Sequence, residues 1–223
     1  MRVHTLCILW LHWTEYAGII RLVPHLMDLG EKICLSNGGL AWWSGERHMK
    51  QVVVLCGFMG CGKTTVGREL SRLTGFAYRD LDEWIEMGAG KTVADIFEQD
   101  GEAHFRALER EAVRACAEEP ALIAAAGGGA LTFDENVKAL QKAGCRIILL
   151  DVPVEEIARR LEGDKTRPLL NRPDKEAAMR ELYEARLPLY RKAADFIVDA
   201  NLPPEQVARE IVMKLGLPFA PKE

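Results

Sequence analysis

The 223-residue chain reads as an α/β protein, a parallel sheet with helices on both faces and a glycine-rich loop at the carboxyl end of its first strand. Three observations predict this. Short apolar runs alternate with amphipathic helical segments about five times, the pattern of a parallel sheet covered on both sides. The stretch GFMGCGKTT, residues 57–65, fits G-x-x-x-x-G-K-[ST] and lies between the apolar run 52–55 and an amphipathic segment. The run ALIAAA, residues 121–126, leads into Gly127, Gly128 and Gly129, as expected of a buried strand that delivers bare backbone to a site.

Each element has a local reason. Val52, Val53, Val54 and Leu55 make the first strand. Glycines in the following loop let successive N–H groups converge on one point, and the helix that starts there turns its positive dipole end the same way. Residues 63–73 put Val66, Leu70 and Leu73 on one helical face, and Gly75 is placed to end the helix. FAYRD, residues 76–80, is a short strand, after which Asp82, Glu83 and Glu86 open an acidic helical turn. Thr92 and Asp95 have the spacing of a capping box. Residues 101–119 form a long helix with Phe105, Leu108, Ala112 and Cys116 as its buried stripe. Beyond the glycines come a helix over 134–143, a strand over 145–151, a helix over 154–161, and a basic stretch over 163–174 punctuated by Gly and Pro. A helix to about residue 192, the strand 196–200 and a last helix over 204–215 complete the chain. Ligands of such sheets sit beyond the carboxyl ends of the strands, where Gly57, Asp80, Gly127 and Asp151 all fall.

Composition narrows the function. Hydrophobic content of 48% and charged content of 28% are ordinary for a globular domain. A net charge of −4 gives no global attraction for nucleic acid or an anionic membrane, so an anionic ligand must be caught by local Arg and Lys. Six cysteines without a C-x-x-C pair indicate neither a zinc site nor a redox dithiol, and favour a reduced, cytoplasmic protein. The first 48 residues differ: they hold four of the five Trp and four of the five His, with no clean helical or strand period. The apolar run 8–11 is broken at once by His12, Thr14 and Glu15, unlike a secretory signal, and nothing is long enough to span a bilayer. Residues 1–48 are therefore expected to be an upstream extension, such as a misplaced start codon would add, with the functional domain over 49–223; a targeting peptide or partner-binding arm is the alternative.

Several residues are candidates for chemistry. Lys63 is placed to reach β- and γ-phosphates and the Thr64 hydroxyl to hold Mg²⁺. Asp80 and Asp82 form D-x-D, and in extended chain residues two apart point the same way. One carboxylate suits hydrated Mg²⁺ and the other an acceptor hydroxyl; helix capping and surface exposure are the plain alternatives. Arg106 has Glu102 four residues before it and Glu109 three after, the spacing of a surface helix pair. Arg186 has only Leu182, Tyr183, Leu189 and Tyr190 at that spacing, so it wants an anion from elsewhere, either a buried acid or a ligand carboxylate. Lys165, Arg167 and Arg172 suit a mobile lid over phosphates or a solvated basic loop. Asp151 imitates a Walker-B carboxylate, in competition with Asp80.

Together with the loop, D-x-D at residues 80–82, GExxFRxxE at 101–109, GGG at 127–129, RPLL at 167–170 and RxPLY at 186–190 resemble the shikimate kinase family in order and spacing, over nearly everything from Lys50 to Leu215. The resemblance implies a nucleoside-monophosphate-kinase-like P-loop fold with a lid and a five-stranded sheet in order 2-3-1-4-5. It implies transfer of the ATP γ-phosphoryl group to the 3-hydroxyl of shikimate, with Mg²⁺, in the route to chorismate and the aromatic amino acids. By the same resemblance Arg106 and Arg186 grip the substrate carboxylate, Asp82 binds its hydroxyls and is a candidate base, and Gly127, Gly128 and Gly129 line the pocket. Gly60, Cys61, Gly62, Lys63, Thr64, Thr65 and Arg160 then hold ATP, Arg167 reaches its phosphates from the lid, and Asp80 lies near the metal. A cytoplasmic monomer is expected. Two departures stand out. The family often has Ser or Thr where this chain has Ala126, and Ser where it has Cys61. A thiol beside a helix N-terminus can have a lowered pKa, which predicts inhibition by thiol alkylation and protection by ATP; an inert replacement is the alternative. Two other readings are a P-loop kinase for gluconate or a nucleoside monophosphate, and a nucleotide switch without turnover. The switch lacks a guanine-reading N-K-x-D and gives Arg186 no purpose.

Overall fold

The computed structural model describes residues 34–36, 39–41, 50–162 and 174–221. The chain divides into two units, residues 1–49 and 50–223. In the first, β1 (Cys34–Ser36) pairs antiparallel with β2 (Gly39–Ala41), with Leu35 opposite Leu40. This hairpin was not predicted, although the sequence between its strands, Asn37-Gly38, is a common hairpin dipeptide.

The second unit is built on five parallel strands, β3 (Gln51–Cys56), β4 (Tyr78–Asp80), β5 (Ala121–Ala125), β6 (Arg146–Asp151) and β7 (Phe196–Asp199). Their order is β4-β5-β3-β6-β7, which is the predicted 2-3-1-4-5. Central β3 is apolar because both faces are covered: Val52, Val53, Val54 and Leu55 are fully buried. The chain leaves β3 toward β4 on one side and later reaches β6 on the other, so the switch of direction lies at the end of β3.

Helices α1 (Lys63–Thr74), α2 (Leu81–Ala89), α3 (Val93–Gln99), α4 (Glu102–Glu118), α5 (Asp134–Lys142), α6 (Val154–Arg160), α7 (Lys175–Ala193) and α8 (Pro204–Leu215) cover the sheet. Helix α1 packs on α8, while α4, α5 and α7 meet around a 3-10 turn, Ala130–Thr132. Gly75 ends α1 in the left-handed conformation, and Thr92 with Asp95 makes the predicted capping box on α3. Close approach of α1 to β4 depends on Gly67, where any Cβ would overlap the Tyr78 ring.

Candidate active site

Beyond the carboxyl ends of β3, β4 and β5 lies a cleft of about 520 Å³. The phosphate loop forms one end of it. Gly57, Gly60 and Gly62 all have positive φ, and Gly62 sits in the left-handed region immediately before α1. The N–H groups of Lys63, Thr64 and Thr65 open that helix, where no preceding turn supplies acceptors, and no side chain caps them. Lys63 Nζ donates to the loop's own carbonyls, Gly57 O at 2.9 Å and Phe58 O at 3.3 Å, and lines the cleft beside Thr64 and Thr65. Arg160 borders the same end. It donates to Gly60 O at 3.5 Å, Ala200 O at 3.2 Å and Asn201 Oδ1 at 3.2 Å, so it ties the loop to the end of β7.

The opposite end carries Arg106 and Arg186. Arg106 does form the expected helix pairs, with Glu102 at 3.2 Å and Glu109 at 3.0 Å, but the setting is not a surface one. Its side chain is only 17% exposed and that of Glu109 only 3%. The guanidinium lies among three rings, 5.1 Å from Phe133, 5.2 Å from Phe105 and 5.8 Å from Phe97. Burial raises the Glu109 pKa, opposed by the Arg106 charge. Sequence reasoning missed Glu109 as a buried group, although it lies four residues after Phe105 and three before Ala112, on the buried stripe itself. Arg186 lines the cleft and, among the described residues, makes no ion pair.

Between the two ends stand Asp80 and Asp82. They reach the same cleft by a different route from the one predicted: the strand stops at Asp80, and Asp82 is the second residue of α2. Asp80 Oδ1 caps the helix by accepting from the Asp82 N–H at 3.0 Å, so the capping and site placements coincide in one side chain. Burial, and then the neighbouring Asp80 charge, push the Asp82 carboxyl above its usual pKa, against the pull of Lys63 and Arg106.

Each glycine of the triplet accommodates one of these charges. A Cβ on Gly127 would overlap the Asp82 carboxylate, one on Gly129 would lie 2.6 Å from Arg106 Nη1, and one on Gly128 would lie 3.2 Å from Arg186 Nη1. Tyr190 Oη donates to Gly128 O and Thr132 Oγ1 to Gly129 O at 2.7 Å, which holds the triplet in place. Gly128, Gly129 and Ala126 line the cleft, whereas Gly127 stands behind Asp82.

Two expectations are modified, and a third falls on residues that are not described. Cys61 is 1% exposed and does not line the cleft, so the thiol lacks the access that alkylation needs, and its N–H donates to Phe58 O at 3.2 Å. Asp151 pairs with Arg191 at 3.0 Å and borders a separate groove, away from the cleft that Asp80 lines. Lys165, Arg167 and Arg172 lie outside the described residues.

The oxygen donors Thr64 and Asp80 share the cleft next to the loop, and no cluster of three His, Cys, Asp or Glu exists among the described residues. This sparse, all-oxygen set fits Mg²⁺, which keeps several waters and leans on substrate phosphates rather than on a protein cage. The Tyr78 hydroxyl is buried close to Thr64, on the phosphate-loop side of this set.

A sheet of this order, with an anion-binding helix start facing two arginines across one cleft, defines a P-loop kinase for small molecules. Comparison with known proteins makes the class specific. The family model for shikimate kinase matches residues 59–216. A shikimate kinase of Bordetella pertussis is 42% identical over 164 residues, 73% of this chain and 77% of its own length, and that of Thermodesulfovibrio yellowstonii is 40% identical over 161 residues, 72% and 92%. The solved shikimate kinase of Acinetobacter baumannii, in complex with shikimate, superposes with a TM-score of 0.70 at 37% identity, covering 75% of this chain and 94% of that one. The chain belongs to the shikimate kinase family.

Proposed function

We infer that the protein transfers the γ-phosphoryl group of ATP to the 3-hydroxyl of shikimate, giving shikimate 3-phosphate and ADP, and that residues 49–223 are the functional unit. The observation that carries this reading is Arg186, which makes no ion pair among the described residues, sharing with a caged Arg106 the cleft that the phosphate loop lines. An acid anchored at the arginines presents its alcohol toward the loop, past Asp82.

This reading gives each site residue a role. Backbone N–H groups of Gly60, Cys61, Gly62, Lys63, Thr64 and Thr65 cradle the phosphates, and Lys63 exchanges its bonds to loop carbonyls for phosphate oxygens. Arg160 sits on the nucleotide side, and Arg167 is assigned to a lid that brings charge to the transferring group. Thr64 and Asp80 would hold Mg²⁺, which would supply positive charge to offset that of the phosphate oxygens. Arg106 and Arg186 take the substrate carboxylate, with Gly127, Gly128 and Gly129 providing bare backbone for close approach. Asp82, its pKa raised by burial, accepts a hydrogen bond from the attacking hydroxyl and is the group positioned to take its proton. Because phosphoryl transfer passes through a loose transition state, Lys63 and Arg167 matter more to the rate than proton removal. The enzyme acts on free ATP and shikimate as a cytoplasmic monomer, without nucleic acid or membrane; among the described residues no helix is long and apolar enough to cross a bilayer.

A coupled ADP-release assay offering shikimate, gluconate and AMP tests the assignment. Turnover with shikimate alone is expected, and preference for either other acceptor would refute it.

A further inference from the structure

The guanidinium of Arg106 is already heavily occupied. Nη1 donates to both oxygens of Glu109, at 3.1 and 3.0 Å, while Nε and Nη2 both donate to Glu102 Oε1 at 3.2 Å. Nε and Nη2 form one of the fork edges on which arginine binds a carboxylate through two parallel bonds. A ligand that uses this edge must displace a carboxylate. The two glutamates differ in how easily they yield. Glu109, 3% exposed, cannot leave without abandoning a buried charge, whereas Glu102 is 67% exposed and sits at the first position of α4. Gly101, with φ 84°, precedes it.

We propose that Glu102 sets the affinity of the acid end of the cleft by competing with the substrate's carboxylate for Arg106. In the empty protein Glu102 stands in for that carboxylate, completing the neutralisation of Arg106 and keeping its plane fixed among the three rings. A bound organic acid takes over the edge and releases Glu102 to water. Only a ligand carrying its own anionic fork repays the exchange, so Glu102 also discriminates against neutral polyols that otherwise resemble the substrate. This rests on the assignment of Arg106 to the substrate carboxylate.

Isothermal titration of shikimate into the full-length protein, without nucleotide, tests it with Glu102→Gln and Glu102→Ala variants and Arg106→Ala alongside. Both Glu102 variants are expected to bind shikimate more tightly, by about two- to fivefold at low ionic strength, the range of an exposed ion pair. The gain is expected to shrink as salt screens the pair. A purely structural role at the helix start would lower the melting temperature without tightening binding. Unchanged or weaker binding in both Glu102 variants, with binding lost in Arg106→Ala, overturns the competition while leaving the Arg106 assignment intact. Unchanged binding in Arg106→Ala overturns that assignment, and the competition with it.

Discussion

A carboxylate pressed against Gly127, with Asp80 for a neighbour, has lost water and gained repulsion, and both favour the protonated form of Asp82. Its folded pKa therefore exceeds its unfolded one. Stability contributed by such a group is complete below the ordinary carboxyl pKa of about 4 and declines as pH rises through the folded value. Glu109 has the same sign, opposed by Arg106. Above that ordinary carboxyl range Asp82 therefore weighs against the folded state, and increasingly so as pH rises toward its folded value. Asp82→Asn is expected to lose most activity yet raise the melting temperature at pH 7, with the gain fading toward pH 4. A melting temperature lowered equally at both pH values would show that Asp82 is structural instead.

At the scale of elements, the end of β5 and the start of α4 must fit together around Arg106. Gly129→Ala puts a methyl group only 2.6 Å from Arg106 Nη1, and Glu109 and the three rings leave the guanidinium little room to shift. The Michaelis constant for shikimate is expected to rise about tenfold, the weight of one misplaced charged hydrogen bond, while that for ATP stays level. Steady-state kinetics varying each substrate in turn would check this; equal increases in both constants would point to general disruption. In the second unit the described strands and helices were legible to within a residue or two, because apolar runs, Gly75 and the Thr92–Asp95 pair are local signals. Less legible were features decided by partners distant in sequence. The charge spacing around Arg106 resembled a solvated helix face, and only tertiary contact with Phe133 and burial of Glu109 show otherwise. The D-x-D pair was read as extended chain, whereas Asp80 turns the strand into α2 by capping it.

On the scale of the whole molecule, the family match begins at residue 59 and the parallel sheet at Gln51, after a segment of different composition. A protein beginning at Met49 is expected to keep its melting temperature and its kinetic constants for ATP and shikimate nearly unchanged. Loss of either would assign residues 1–48 a part in folding or catalysis. The phosphate loop was legible because its function requires a fixed glycine spacing. The acid-binding end was harder to read, since its two arginines lie on α4 and α7 and only the fold brings them to one cleft.

The central claim is that these arginines anchor an organic acid while the loop holds ATP. It is tested most directly by the Michaelis constants of Arg186→Ala for both substrates. Arg186 supplies a charge with no carboxylate partner of its own among the described residues, so its removal is predicted to raise the constant for shikimate about tenfold or more and leave that for ATP unaltered. An unaltered constant for shikimate would contradict the account.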